Sequence, residues 1–185
     1  MIRGGGFRVK VLDGIFHLAG VLSAVLLAAI ALLTFIQIVG RTLGYLVSTG
    51  TEFAGFCMAA SIFLALAWTL RSGGHIRVGL VLQALPPGPR RLVEIWCLSG
   101  AVFAIGLFAW SATMMTWDSY RFGDVSVGLV PVPLWIPQIA MALGIILMEI
   151  ALIEQLVLVL SGREPTYRAF EDTESRVARG EEPGA

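Results

Sequence analysis

The chain is expected to be all-α: a four-transmembrane-helix bundle with its N- and C-termini cytoplasmic and a short inner amphipathic segment between helices two and three. Three observations lead there. Of 185 residues, 57% are apolar and only 14% charged, with a mean hydropathy of +0.82; a water-soluble domain averages roughly 45–50% apolar and about 25% charged. The charges fall between long uncharged stretches, and Lys and Arg are abundant in every second segment between those stretches. The thirteen basic residues are balanced by thirteen acidic ones, which removes the electrostatic basis for nucleic-acid binding. Four spans also leave no length for a large soluble catalytic domain, so no enzyme is expected.

Crossing a hydrocarbon core of about 30 Å takes about 20 apolar residues. The first span, about 14–40, is bounded by Asp13 and Arg41, and the second, about 53–70, by Glu52 and Arg71. The third, about 92–117, has an uncharged core from Ile95 to Trp117, between Glu94 and Asp118. The fourth, about 133–160, is interrupted by Glu149 and Glu154 and opens on Pro131, Pro133 and Pro137, where a helix's first turn tolerates the missing N–H. The first apolar run exceeds the 7–15 residues of a signal-peptide core, so it is expected to be retained as a helix. Residues 1–160 thus form the membrane domain, and 161–185 a charged cytoplasmic tail too poor in apolar residues to bury a core.

Eleven of the thirteen basic residues lie at the N-terminus, in the second loop or in the tail; Arg41 and Arg121 are alone on the opposite side. The positive-inside bias therefore sets both termini in the cytoplasm. The tryptophans agree, since indoles favour the two interfaces: Trp68 and Trp96 fall at inner helix ends, Trp117 and Trp135 at outer ones, and Trp110 lies about 10 Å below Trp117. In the second loop Gly73–Gly74 ends helix two, and Ile76–Leu85 reads as an interfacial segment with Arg77 reaching headgroups, closed by Pro86–Pro89.

Candidate chemistry is sparse. Cys57 and Cys97 lie near opposite faces and carry no thiol motif. His17 and His75 are too few for paired haem ligands, and no cofactor or metal is expected. Among intramembrane ionisable residues, a functional default under the cost of charge in hydrocarbon, Glu149 is the one immersed, about 21 Å from Trp135, with Arg90 and Arg91 at the inner level as candidate ion-pair partners. Glu149 reads either as a paired structural carboxylate or as a coupling-ion site. Arg41 and Glu52 flank a short outer loop, where a salt bridge or a helix N-terminal preference for acid accounts for Glu52. Small residues recur at Gly40/Gly44, Gly55/Ala59 and Ala140/Gly144, a spacing that permits close helix approach. Neither a discontinuous helix pair nor an inverted repeat is visible, so the chain looks like part of a transporter.

Three stretches resemble the small membrane subunit (DctQ-type small permease) of tripartite ATP-independent periplasmic (TRAP) transporters. They are Val39-Gly-Arg41 with Glu52 opening helix two; Ala67-Trp-Thr-Leu-Arg71-Ser-Gly73-Gly-His75-Ile-Arg-Val78; and Ser126-Val-Gly128-Leu-Val-Pro131-Val-Pro133-Leu-Trp135-Ile-Pro137. The likeness covers roughly residues 10–160. The chain departs from the common pattern at Phe53 and Gly79, where many members carry an acidic residue. The resemblance implies Arg41, Glu52, Arg71, Gly73, His75, Pro133, Trp135 and Pro137 as motif positions of structural weight, in a multi-pass protein of the bacterial inner membrane. It implies partners, a large permease and a periplasmic substrate-binding protein, which together import organic acids on a sodium gradient. The large subunit would move as an elevator against a scaffold that the small subunit widens and anchors. The alternative reading is a self-sufficient homo-oligomeric four-helix transporter or channel, with Glu149 or Glu52 as its ion site.

Overall fold

The computed structural model describes residues 5–45, 50–71, 87–128 and 130–162, with side chains at 5–11, 71, 87, 88 and 90 left aside. Four helices account for almost all of them: α1 (Gly5–Thr42), α2 (Gly50–Arg71), α3 (Pro87–Phe122) and α4 (Trp135–Leu160). Each is long and apolar enough to cross a membrane. Helix α1 overruns its uncharged core past Asp13, and α3 runs from Pro87 to Phe122, because intrahelical hydrogen bonding does not stop where the hydrocarbon does. The prolines expected to close the inner segment also open α3, where Pro87 and Pro89 sit in the first turn. Helix α4 starts at Trp135, two residues later than the apolar run suggests, since Pro133 pairs with Val125 in an isolated β-bridge. The inner segment at Ile76–Leu85 and the tail beyond Gly162 lie outside the described residues.

Helix ends follow from local chemistry. Gly44 takes φ +82°, while Tyr45 N–H bonds the Gly40 carbonyl at 2.8 Å and Gly44 N–H that of Arg41 at 3.2 Å. This paired closure needs a left-handed residue, which glycine supplies without a Cβ clash. Gly123 (φ +70°) repeats it after α3, with Asp124 N–H on the Ser119 carbonyl at 3.0 Å.

The helices alternate in direction, and their neighbour order differs from their chain order: α1 packs on α2, α2 on α4, and α4 on α3. The hairpin connections α1–α2 and α3–α4 therefore share one end, here the hairpin end. The parallel helices α2 and α4 form the middle. They approach closely because Gly144 lies against the backbone of Phe63; a Cβ there would come within 2.5 Å of the Phe63 carbonyl carbon and oxygen. Toward the opposite end all four helices contribute to one core: Phe16, Ala67, Leu70, Leu98, Ala151, Leu152 and Val159. Nearer the hairpin end a smaller cluster joins Ala112 of α3 to Ala142 and Ile145 of α4, with Phe63 beside them.

Polar clasps supplement these contacts. Ser23 Oγ donates to the Ser61 carbonyl at 2.9 Å and Ser61 Oγ to the Ser23 carbonyl at 3.0 Å, with the two hydroxyls 3.2 Å apart. Both serines are buried, so each hydroxyl satisfies itself by bonding the facing backbone, worth about 0.6 kcal/mol per interhelical bond on average in membranes.

Substitution Gly144→Val is expected to force α2 and α4 apart and to cost about 1–3 kcal/mol, read as a lower midpoint in denaturant titration of the protein in detergent. Ser61→Ala is expected to cost less, about 1 kcal/mol, and to be non-additive with Ser23→Ala because the two share one contact.

Candidate functional site

Besides the serine pair, polar groups enter the apolar bundle at the hairpin end and in the middle of α4. At the hairpin end, α1 and α2 are tied by Thr51 Oγ1 donating to Gln37 Oε1 at 3.0 Å. Gly50 is buried directly beneath the Gln37 amide, and any side chain there would overlap it. One residue further, Glu52 stands in the first turn of α2, where a carboxylate meets the positive end of the helix dipole.

Glu52 reaches across to the α3–α4 loop. Its Oε2 atom is buried with no hydrogen-bond partner among the described residues, and its carboxylate lies against Gly128, where a Cβ would overlap it outright. The loop is held rigidly. Leu134 N–H bonds the Asp124 carbonyl at 3.0 Å, Ser126 N–H the Val132 carbonyl at 2.8 Å, and Val132 N–H the Ser126 hydroxyl at 3.2 Å. Tyr120 meets the first residue of α4, Trp135, edge-on at 5.7 Å, and Trp117 lies 6.2 Å from Tyr120. Glu52 thus connects the α1–α2 hairpin to the α3–α4 hairpin through one glycine. Gln138 Oε1, in the first turn of α4, is likewise buried with no hydrogen-bond partner among the described residues.

In the middle of α4, Glu149 is half-buried and faces Gly106 of α3, whose missing side chain leaves room for it; a Cβ there would sit 3.3 Å from Oε1. Its Oε2 has no hydrogen-bond partner among the described residues. Arg91 is elsewhere: its Nη2 donates to the Val159 and Leu160 carbonyls at 3.3 and 3.2 Å. These carbonyls lie in the last turn of α4, about 15 Å along the axis from Glu149, and that of Val159 also accepts from Gly162 N–H at 3.1 Å. A cation at a helix C-terminus is favoured by the dipole, so Arg91 caps α4 and does not reach Glu149. The side chain of Arg90 lies outside the described residues.

The remaining motif positions divide in the same way. Arg41 is exposed in the last turn of α1 and makes no salt bridge with Glu52, which turns toward Gly128. Pro133 sits in the β-bridge, and Pro137 in the first turn of α4, where its missing N–H has no partner to lose. Arg71 ends α2; its side chain, Gly73 and His75 lie outside the described residues. At the end opposite the hairpins, His17 packs edge-on against Trp68 at 5.4 Å, over Gly20. Both cysteines are free. Among the described residues no three His, Cys, Asp or Glu side chains gather to hold a metal ion.

Sequence reasoning did not find Gln37, Gly106 or the serine pair, and it met Gly128 only as part of the third motif stretch. Ser23 and Ser61 were legible in principle, each being the lone serine in a long apolar run. Of the small-residue pairs, Gly144 makes a close crossing and Gly44 stops a helix, while a Cβ at Gly55 would meet nothing.

Fold and polar contacts define a polytopic α-helical membrane protein whose buried polar groups join helices and loops to one another. Residues 30–162, more than two thirds of the chain, match the family model described as tripartite ATP-independent periplasmic transporters, DctQ component. The chain belongs to that family: it is a multi-pass inner-membrane component of a TRAP transporter. The match runs from the middle of α1 to the end of α4 and includes every motif position named above. Comparison with curated proteins finds no match.

The Gly128–Glu52 contact makes a direct prediction. Gly128→Ala is expected to lower thermal stability and to speed proteolysis of the α3–α4 loop, and Glu52→Ala is expected to restore both by vacating the space. Additive losses in the double variant would show that the two residues are not coupled.

Proposed function

We propose that the chain is the static small permease subunit of a sodium-driven TRAP transporter that imports organic acids. In this reading a large permease holds the substrate and sodium sites and moves as an elevator, and a periplasmic binding protein delivers the substrate. The observation that carries the reading is membership of the DctQ family over residues 30–162.

The architecture supports a scaffold role. A subunit that resists a moving neighbour needs helices that cannot slide past one another. Here sliding is opposed by the Gly144–Phe63 backbone contact, the reciprocal serine bonds, and the Arg91 cap joining α3 to α4. Tryptophans at both helix ends would fix depth and tilt in the bilayer. The Arg and Lys distribution supports an orientation with the termini in the cytoplasm and the hairpin end at the periplasmic face.

The periplasmic binding protein would then meet the hairpin end. Arg121 and Asp124 are exposed there, and the loop fold uses the backbone of Asp124, through Ser119 and Leu134. Charge reversal, Arg121→Glu or Asp124→Arg, is therefore expected to leave folding and assembly intact. It should weaken binding-protein affinity several-fold with an altered salt dependence, as rim charges act mainly on the association rate. Titration of labelled binding protein onto the complex in nanodiscs reads this directly, and unchanged affinity for both variants would remove the loop from the docking site.

A further inference from the structure

Helix α3 carries two seven-residue seams on opposite faces. The inner one, Leu98, Ile105, Ala112 and Ser119, packs toward α4, whose Ile145, Leu152 and Val159 follow the same repeat. The outer one is Trp96, Gly100, Phe103, Leu107, Trp110, Met114 and Trp117, alternating steps of four and three; every member is exposed. A sustained repeat of that kind is the pattern by which one helix receives the side chains of another.

Lipid is a poor cover for this outer seam. From Trp96 to Trp117 the axis rises about 31 Å, close to the full hydrocarbon thickness of about 30 Å. Trp110 therefore stands about 10 Å inside the nearer boundary, beyond the reach of its indole to headgroups. It is 66% exposed, and among the described residues its N–H has no acceptor. Ser111, beside it at the same depth, is exposed with its hydroxyl also unbonded. Donors held in hydrocarbon without acceptors cost several kcal/mol each. Helix α1 shows the contrast: from Leu18 to Val39 its exposed residues are Ala, Val, Leu, Ile and Phe, plus Thr34, whose hydroxyl is bonded to the Ile30 carbonyl at 2.8 Å. That face suits lipid. A second copy of this chain does not suit the α3 seam, because parallel pairing would set each of its three tryptophans against itself and donor against donor.

We propose that the outer seam of α3 is where the large permease lays one of its transmembrane helices, and that this helix carries a hydrogen-bond acceptor at the depth of Trp110. The inference rests on the two-membrane-subunit reading above and adds the face and the chemistry of contact. The test places the photo-crosslinking residue benzoylphenylalanine at Leu107 in the full transporter expressed in membranes. The tagged chain is isolated, and both its adducts and its co-isolated proteins are identified by mass spectrometry. An adduct with a permease helix is expected. If the permease co-isolates but Leu107 links only to lipid or to a second copy, the face is wrong and the subunit reading stands; if no permease co-isolates, both fall. A second variant needs no crosslinker. Trp110→Phe keeps the ring and removes the donor, and is expected to speed loss of the permease during detergent washing several-fold, whereas Trp96→Phe at the interface leaves it unchanged. Equal retention in the two variants would overturn the acceptor.

Discussion

The close approach of α2 and α4 at Gly144 and Phe63 is the constraint on which the bundle depends. Helices gain no hydrophobic advantage from meeting one another in lipid, so association rests on close packing and on polar groups that find partners. Gly144 lets two parallel helices touch backbone to backbone, and that contact makes α2 and α4 the middle pair. The outer helices are then added by different means. Helix α1 is clasped to α2 through Ser23–Ser61 and Gln37–Thr51, while α3 is joined to α4 through a seven-residue seam and the Arg91 cap.

The same economy explains where the charged and amide groups lie. Arg91 directs its guanidinium to the Val159 and Leu160 carbonyls in the last turn of α4, where the helix dipole favours a cation. Glu52 occupies the start of α2 and fills the space that Gly128 leaves in the facing loop. These contacts bind helices and loops within the bundle, in keeping with the proposed scaffold role.

Much of this was legible in the sequence, and what was not has physical reasons. The four spans could be read because charge is expelled from hydrocarbon, so Asp13, Arg41, Glu52, Arg71, Glu94 and Asp118 mark their limits. The true helix ends could not, since a helix continues into the headgroup region, as α1 does past Asp13. Neighbour order was hidden because hydropathy has no direction around a helix, and nothing in α2 announces that it prefers α4 to α3. Glu52 was found as a motif position, but its contact with Gly128 joins residues far apart in sequence. Of the candidate partners of Glu149, Arg91 lies on the facing helix but level with the last turn of α4, a depth that hydropathy does not resolve, and the side chain of Arg90 lies outside the described residues. Family membership was legible from the Arg41, Glu52 and Pro133–Pro137 stretches, and the family match includes all of them.

The most direct test of the account is the composition of the native complex. The tagged chain, expressed at native level from its own gene neighbourhood, is solubilised gently, purified and weighed by native mass spectrometry. The account predicts recovery with a large multi-spanning permease in near-equal amount. Recovery of this chain alone as a stable oligomer would contradict it.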